Sequence, residues 1–150
     1  MSKKLAKVLF VEDSKNEFIL NMMILRREKV NVQMDHVRDG VEALDYLKFQ
    51  GKYVDHENRL PDLILLDQRL ITMDGDELLK NIKQDDALKN IPVVMFSGLI
   101  KSEQENEIMK LGAVASYDKP INYDKLQDIC DSVEGLRFEN ENEIRYLCVK

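Results

Sequence analysis

Apolar residues gather in short continuous runs along part of this chain and recur at helical spacing along the rest. Three runs are continuous: Val8-Leu9-Phe10-Val11, Leu63-Ile64-Leu65-Leu66 and Val93-Val94-Met95-Phe96. A strand that is apolar on both alternating faces needs cover on both sides, as in a parallel sheet flanked by helices. Residues 30–37 predict a further strand, and residues 114–118 a weaker one, because Ala115 and Ser116 are small.

Helical patterns lie between the runs. Ser14-Lys15-Asn16-Glu17 has the form of a capping box: the serine accepts from the N–H three residues on, and the glutamate reaches back. Phe18, Met22 and Leu25 follow on one stripe. Asp39 and Glu42 open a second helix with Val41, Leu44 and Leu47 along one side. A third covers 74–86, with Leu78, Leu79 and Ile82 inward. Ser102-Glu103-Gln104-Glu105 is another capping box, followed by Ile108 and Leu111. Asn122 caps a fifth helix with the stripe Leu126, Ile129, Cys130 and Val133. Strands and helices alternate, so the expected fold is α/β: a (βα)5 doubly wound parallel sheet with right-handed crossovers. The loop 50–61 is long. Residues 1–135 form the expected domain. Residues 136–150 lie outside the fivefold pattern, and 143–150 alternates weakly, as a strand or an added helical turn.

With 150 residues, 44% hydrophobic and 33% charged, the chain suits one globular domain. The net charge of −6 disfavours nonspecific binding to nucleic acid or anionic membrane, since both attract positive patches. No apolar run approaches the ~18 residues of a membrane span, and no signal peptide is evident, so a cytoplasmic location is expected. Cys130 and Cys148 form no metal-type pair and are expected as packed free thiols. His36 and His56 are isolated, which argues against zinc.

In an open α/β sheet, ligands bind beyond the carboxyl ends of the strands. The residues that follow the apolar runs there are Glu12-Asp13, Asp67, Ser97 and Lys119-Pro120. Any one of them could be a cap, a turn residue or a solvated lysine. Together they place three acids, a hydroxyl and a lysine at one edge. Lys119 offsets one of the acids, leaving about −2, and an oxygen-only ligand set for the remainder suits Mg²⁺. Such a site fits phosphoryl transfer. Asp67 is the nucleophile that forms an acyl phosphate, Lys119 contacts one phosphoryl oxygen, and Ser97 donates to another.

These residues resemble the response-regulator receiver (CheY-like) family of two-component phosphorelays. The resemblance covers nearly the whole chain. It rests on Glu12-Asp13, on Asp67 with Asp74-Gly75, on Ser97-Gly98, and on Gly112-Ala113 with Lys119-Pro120. The long loop before the third strand is similar to single-domain receivers, including those paired with bacterial phytochromes. The resemblance implies a flavodoxin-like strand order of 2-1-3-4-5 and a cis Lys119–Pro120 bond. It implies Mg²⁺ held by Asp13, Asp67 and the Arg69 backbone carbonyl, with Glu12 acting through water. The implied donor is a phosphohistidine on a sensor histidine kinase or a histidine phosphotransfer protein. The implied output face is the fourth helix, fifth strand and fifth helix, which contacts a downstream protein target.

The sequence departs from the family in places. Ile71 stands where the family has proline. Ser116 stands where the family has its switch aromatic, and Tyr117, one step on, points to the opposite face. Arg69 and Leu99 occupy positions that flank the phosphoryl group in the family, and their bulk predicts a long-lived phosphoryl state. The expected function is a phosphoprotein switch with self-catalysed phosphotransfer and autodephosphorylation, not an enzyme on outside substrates. With about 15 residues after the expected domain, no output domain is expected to follow, and the tail is expected to extend the fold or to make a homodimer contact. The alternative is a receiver-fold docking module independent of phosphorylation. An aspartyl-phosphate phosphatase needs a second acid where Arg69 stands, and arginine is no general acid–base. The turn Glu12-Asp13-Ser14 lacks the glycines of a dinucleotide site.

Overall fold

The first, third and fourth expected strands form as β1 (Lys7–Val11), β4 (Leu63–Asp67) and β5 (Val93–Ser97), and every residue in them is buried. The computed structural model describes residues 4–55, 59–70, 73–98 and 102–150. With β3 (Gln33–Val37) and β6 (Ala115–Asp118) they make one parallel sheet in the order β3-β1-β4-β5-β6. Counted in the expected numbering, this is 2-1-3-4-5. Leu9, Val11, Ile64, Leu66, Val93 and Met95 pack on one face, under α2 (Gly40–Lys48), α3 (Gly75–Gln84) and α4 (Ser102–Lys110). Val8, Phe10, Leu63, Leu65, Val94 and Phe96 pack on the other, under α1 (Lys15–Arg27) and α5 (Tyr123–Ser132). The runs are continuous because both sets of alternating side chains need cover.

The helix starts largely follow the sequence. Ser14, Asp39 and Asn122 accept from the N–H groups of Glu17, Glu42 and Lys125. Leu78, Leu79 and Ile82 are fully buried on α3, as are Leu126 and Ile129 on α5 to within 1%. The Ser102 side chain, like His56, Ile71 and Leu99, lies outside the described residues.

Two expectations need correction. On α2 the buried residues are Gly40, Ala43, Tyr46 and Leu47, while Val41 is 52% exposed. At about 100° per residue, steps of three drift back by about 60°. The stripe Val41, Leu44, Leu47 therefore turns away from the core at its first member. Residues 30–37 are not one strand. They divide into β2 (Val30–Asn31) and β3, which belong to different sheets.

The partner of β2 is the tail, which settles the choice left open by sequence. β7 (Leu136–Glu141) and β8 (Ile144–Val149) form an antiparallel hairpin. Its turn residues Asn142 and Glu143 both have positive φ, 53° and 68°, which matches the twist of a tight hairpin. β8 pairs in parallel with β2 and makes a three-stranded sheet in the order β2-β8-β7. Leu136 and Leu147 join the core beneath α1 and α5, and the Ala6 N–H donates to the Leu147 carbonyl at 3.0 Å. The hairpin therefore extends the hydrophobic core. Cys130 and Cys148 are both free and buried, and burial pushes the Cys130 thiol up to about 11.

A buried amide fastens α1 to the start of α5. Asn21 Oδ1 accepts from the Ile121 N–H at 2.7 Å, and its Nδ2 donates to the Glu17 carbonyl at 2.7 Å.

Two stability effects are expected in urea unfolding. Leu147→Ala leaves a cavity in the shared core and costs about 2–5 kcal/mol. A loss under 1 kcal/mol would mean the hairpin is only loosely attached. Asn21→Ala strands the buried Ile121 N–H and costs about 1–3 kcal/mol.

Candidate functional site

All the site residues expected from sequence converge at the carboxyl edge of the parallel sheet. Asp13, Asp67, Arg69, Ser97, Gly98 and Lys119 line a cleft of about 460 Å³, together with Glu17. Glu12 lies beneath it, fully buried. Asp67 ends β4 and is 4% exposed, and Ser97 ends β5 and is 6% exposed. Carboxylate oxygens of Glu12, Asp13 and Asp67 lie within 4.8 Å of one another.

Main-chain contacts set this geometry. The Glu12 N–H donates to the Val37 carbonyl at 3.0 Å, fixing the end of β1. The Lys119 N–H donates to the Ser97 carbonyl at 2.8 Å, joining the ends of β5 and β6. The Lys119–Pro120 bond is cis, as the resemblance implies. After β4, the Gln68 N–H donates to the Phe96 carbonyl, and the Gly75 N–H donates to the Gln68 carbonyl, both at 2.9 Å. A Cβ on Gly75 would stand 2.5 Å from the Asp67 carbonyl oxygen. The Asp74-Gly75 pair thus has a physical basis: α3 begins against the backbone of the site.

Asp67 uses both carboxylate oxygens. Oδ1 accepts from the Arg69 N–H at 3.1 Å, and Oδ2 accepts from Lys119 Nζ at 3.0 Å. Lys119 Nζ also donates to Glu12 Oε1 at 2.9 Å and to Glu17 Oε2 at 2.8 Å. Burial alone would lower the Lys119 ammonium, but the carboxylates of Glu17, Glu12 and Asp67 outweigh it and raise it. Burial, followed by the neighbouring Asp67, pushes the Glu12 carboxyl well above the usual range. The ammonium of Lys119 does the reverse for Glu17 and holds it below that range.

Two contributors were missed in the sequence. Glu17 was assigned to a capping box. Only half of that box forms: Ser14 Oγ accepts from the Glu17 N–H at 3.2 Å. The Ser14 N–H donates instead to Glu12 Oε2 at 3.3 Å. His36 supports the site from below. Its Nε2 lies 2.7 Å from the Glu12 carbonyl oxygen, and its ring stacks on Phe18 with centroids 4.1 Å apart. Nothing in a lone histidine on a strand signalled this.

Tyr117 faces α5, as strand alternation requires. Its ring centroid lies 5.7 Å from that of Phe96, and its hydroxyl donates to Asp128 Oδ2 at 2.5 Å. Ser116 shares a small surface cleft with Glu105 of α4.

A family model for the response regulator receiver domain matches residues 8–131. Response regulator Rcp1 of Synechocystis sp. is 35% identical over 134 residues, covering 86% of this chain and 84% of that protein. The bacteriophytochrome response regulator AtBRR superposes with a TM-score of 0.81 at 30% identity, covering 93% of this chain and 99% of that one. The Mn²⁺-bound form of Rcp1 gives 0.67 at 32% identity, covering 87% of this chain and 92% of that one. With the strand order and the acid, hydroxyl and lysine edge already in place, the chain belongs to the response regulator receiver domain family of two-component signalling.

Proposed function

We propose that Asp67 accepts a phosphoryl group from a phosphohistidine, and that the phosphorylated domain signals by protein contact. One observation carries this proposal. Asp67 is a nearly buried carboxylate whose oxygens meet a backbone N–H and the Lys119 ammonium, beside two further acids. An Asp67 oxygen forms the new P–O bond while the P–N bond to the donor imidazole breaks, leaving its electron pair on the ring nitrogen. Acyl phosphate formation removes the carboxylate charge of Asp67, so Lys119 turns to a phosphoryl oxygen as a point charge. The Ser97 hydroxyl, at the end of the adjacent strand, donates to another.

The donor set fits a hard divalent cation. Its three clustered carboxylates offer oxygen alone, with no histidine or cysteine among them, which favours Mg²⁺ or Mn²⁺ over zinc. Asp13, Asp67 and the Arg69 carbonyl would hold Mg²⁺, with Glu12 acting through water. When bound, the cation supplies charge neutralisation on the transferring oxygens. The chemistry is self-directed: the domain catalyses its own phosphorylation and the later hydrolysis, and acts on no outside substrate. The donor is a sensor histidine kinase or a histidine phosphotransfer protein. The output face is α4, β6 and α5.

Two measurements test this. Incubation with a small phosphodonor and Mg²⁺ should add one phosphate to the intact mass of the wild type and none to Asp67→Asn. Equal uptake by both proteins would exclude Asp67. Chelation of divalent ions should stop the uptake, and Mg²⁺ or Mn²⁺ should restore it. Undiminished uptake after chelation would remove the metal from the proposal.

A further inference from the structure

Resting on the phosphoacceptor assignment of Asp67, we propose that Glu17 is a charge filter at the cleft mouth. In that role it disfavours small dianionic phosphodonors relative to less charged ones.

Glu17 is the third residue of α1, where a capping-box glutamate would return to the Ser14 N–H. That N–H is occupied by Glu12 Oε2. The Glu17 carboxylate therefore crosses to Lys119, 102 residues away, at 2.8 Å. An ammonium has three donors, and Glu12, Glu17 and Asp67 take all three.

These acceptors are not equivalent. The side chains of Glu12 and Asp67 are 0% and 6% exposed, whereas that of Glu17 is 49% exposed. Glu17 is thus the acid nearest solvent, on the wall of the same cleft as Asp67. When Asp67 is phosphorylated, Lys119 leaves it for the phosphoryl group, while Glu12 and Glu17 still hold the ammonium from the α1 side. A freely exposed ion pair contributes little. This one differs because Lys119 is only 17% exposed and two of its three partners are buried, so solvent screens it less.

An approaching donor meets the Glu17 charge before it meets Asp67. Acetyl phosphate arrives as a dianion near neutral pH and phosphoramidate as a monoanion, so the repulsion is greater for acetyl phosphate. In both reactions an Asp67 oxygen bonds to phosphorus. The bond to acetate or to ammonia breaks, and the leaving group departs with the electron pair.

The experiment compares second-order rates of phosphate uptake with both donors at fixed Mg²⁺, for wild type, Glu17→Gln and Glu17→Asp. The Ser14 cap uses the Glu17 main-chain N–H, so both variants retain it. Glu17→Gln should raise the acetyl phosphate rate roughly three- to tenfold and the phosphoramidate rate by less. The difference should shrink in about 1 M salt, where the Debye length is about 3 Å. Glu17→Asp, which keeps the charge, should restore most of the discrimination. An equal change with both donors, a change insensitive to salt, or no change would overturn the role of Glu17 and leave the Asp67 assignment standing. Absence of uptake by the wild type from either donor would overturn the Asp67 assignment, and this inference with it.

Discussion

Carboxylates repel one another most where water is scarce, and the carboxyl edge of this sheet collects them. Glu12 and Asp67 are almost wholly buried, and Asp13 comes within 4.8 Å of both. A buried charge without a partner costs several kcal/mol, so the edge can exist only if something cancels part of that charge. Lys119 does so, and much of the nearby structure serves to place it. The Ser97 carbonyl holds its main-chain N–H, Asn21 holds the Ile121 N–H two residues on, and Asn122 starts the helix after that. Below the acids, His36 lies against the Glu12 carbonyl, and Gly75 lets α3 begin directly on the Asp67 backbone. The compensation is incomplete: Lys119 brings one positive charge to three clustered acids, and burial together with Asp67 pushes the Glu12 carboxyl upward. A site with this residual demand is suited to receiving a cation.

The features legible in the sequence were those that a residue's own neighbours determine. β1, β4 and β5 read as strands because each is apolar on both faces, and that pattern also implies helices on both sides. The three helix caps read correctly at Ser14, Asp39 and Asn122 because a cap is a contact over three residues. Asp67, Ser97 and Lys119 could be placed because each ends a strand or follows directly on one. The hairpin was less legible. The alternation in 143–150 is weak because β8 is a strand of a second, smaller sheet, and its parallel partner β2 is two residues long. Val30 and Met34 look like one strand until the tail is present to claim Val30.

Glu17 shows a different limit. The local pattern gave it a complete and ordinary role, and half of that role is real. What the pattern could not show is that Glu12 reaches the Ser14 N–H first. A side chain with a satisfied local explanation can still be released by a competitor outside the motif, and here the release adds a fourth acid to the site.

The same geometry bears on how a change at Asp67 reaches the surface. Tyr117 stands on the α5 side of β6, ringed by Phe96 and bonded to Asp128, while the position facing α4 holds only Ser116. An aromatic swing on the α4 side is therefore not open to β6. The backbone offers another path. Ser97 and Asp118 are register partners, and the Ser97 carbonyl holds the Lys119 N–H. A pull on the Lys119 side chain or on Ser97 therefore acts on the end of β6 itself. Tyr117, one residue before that end, is bonded to α5 through its hydroxyl. On the α5 side the Tyr117 hydroxyl ties β6 to Asp128, and on the α4 side Ser116 and Tyr117 share a cleft with Glu105.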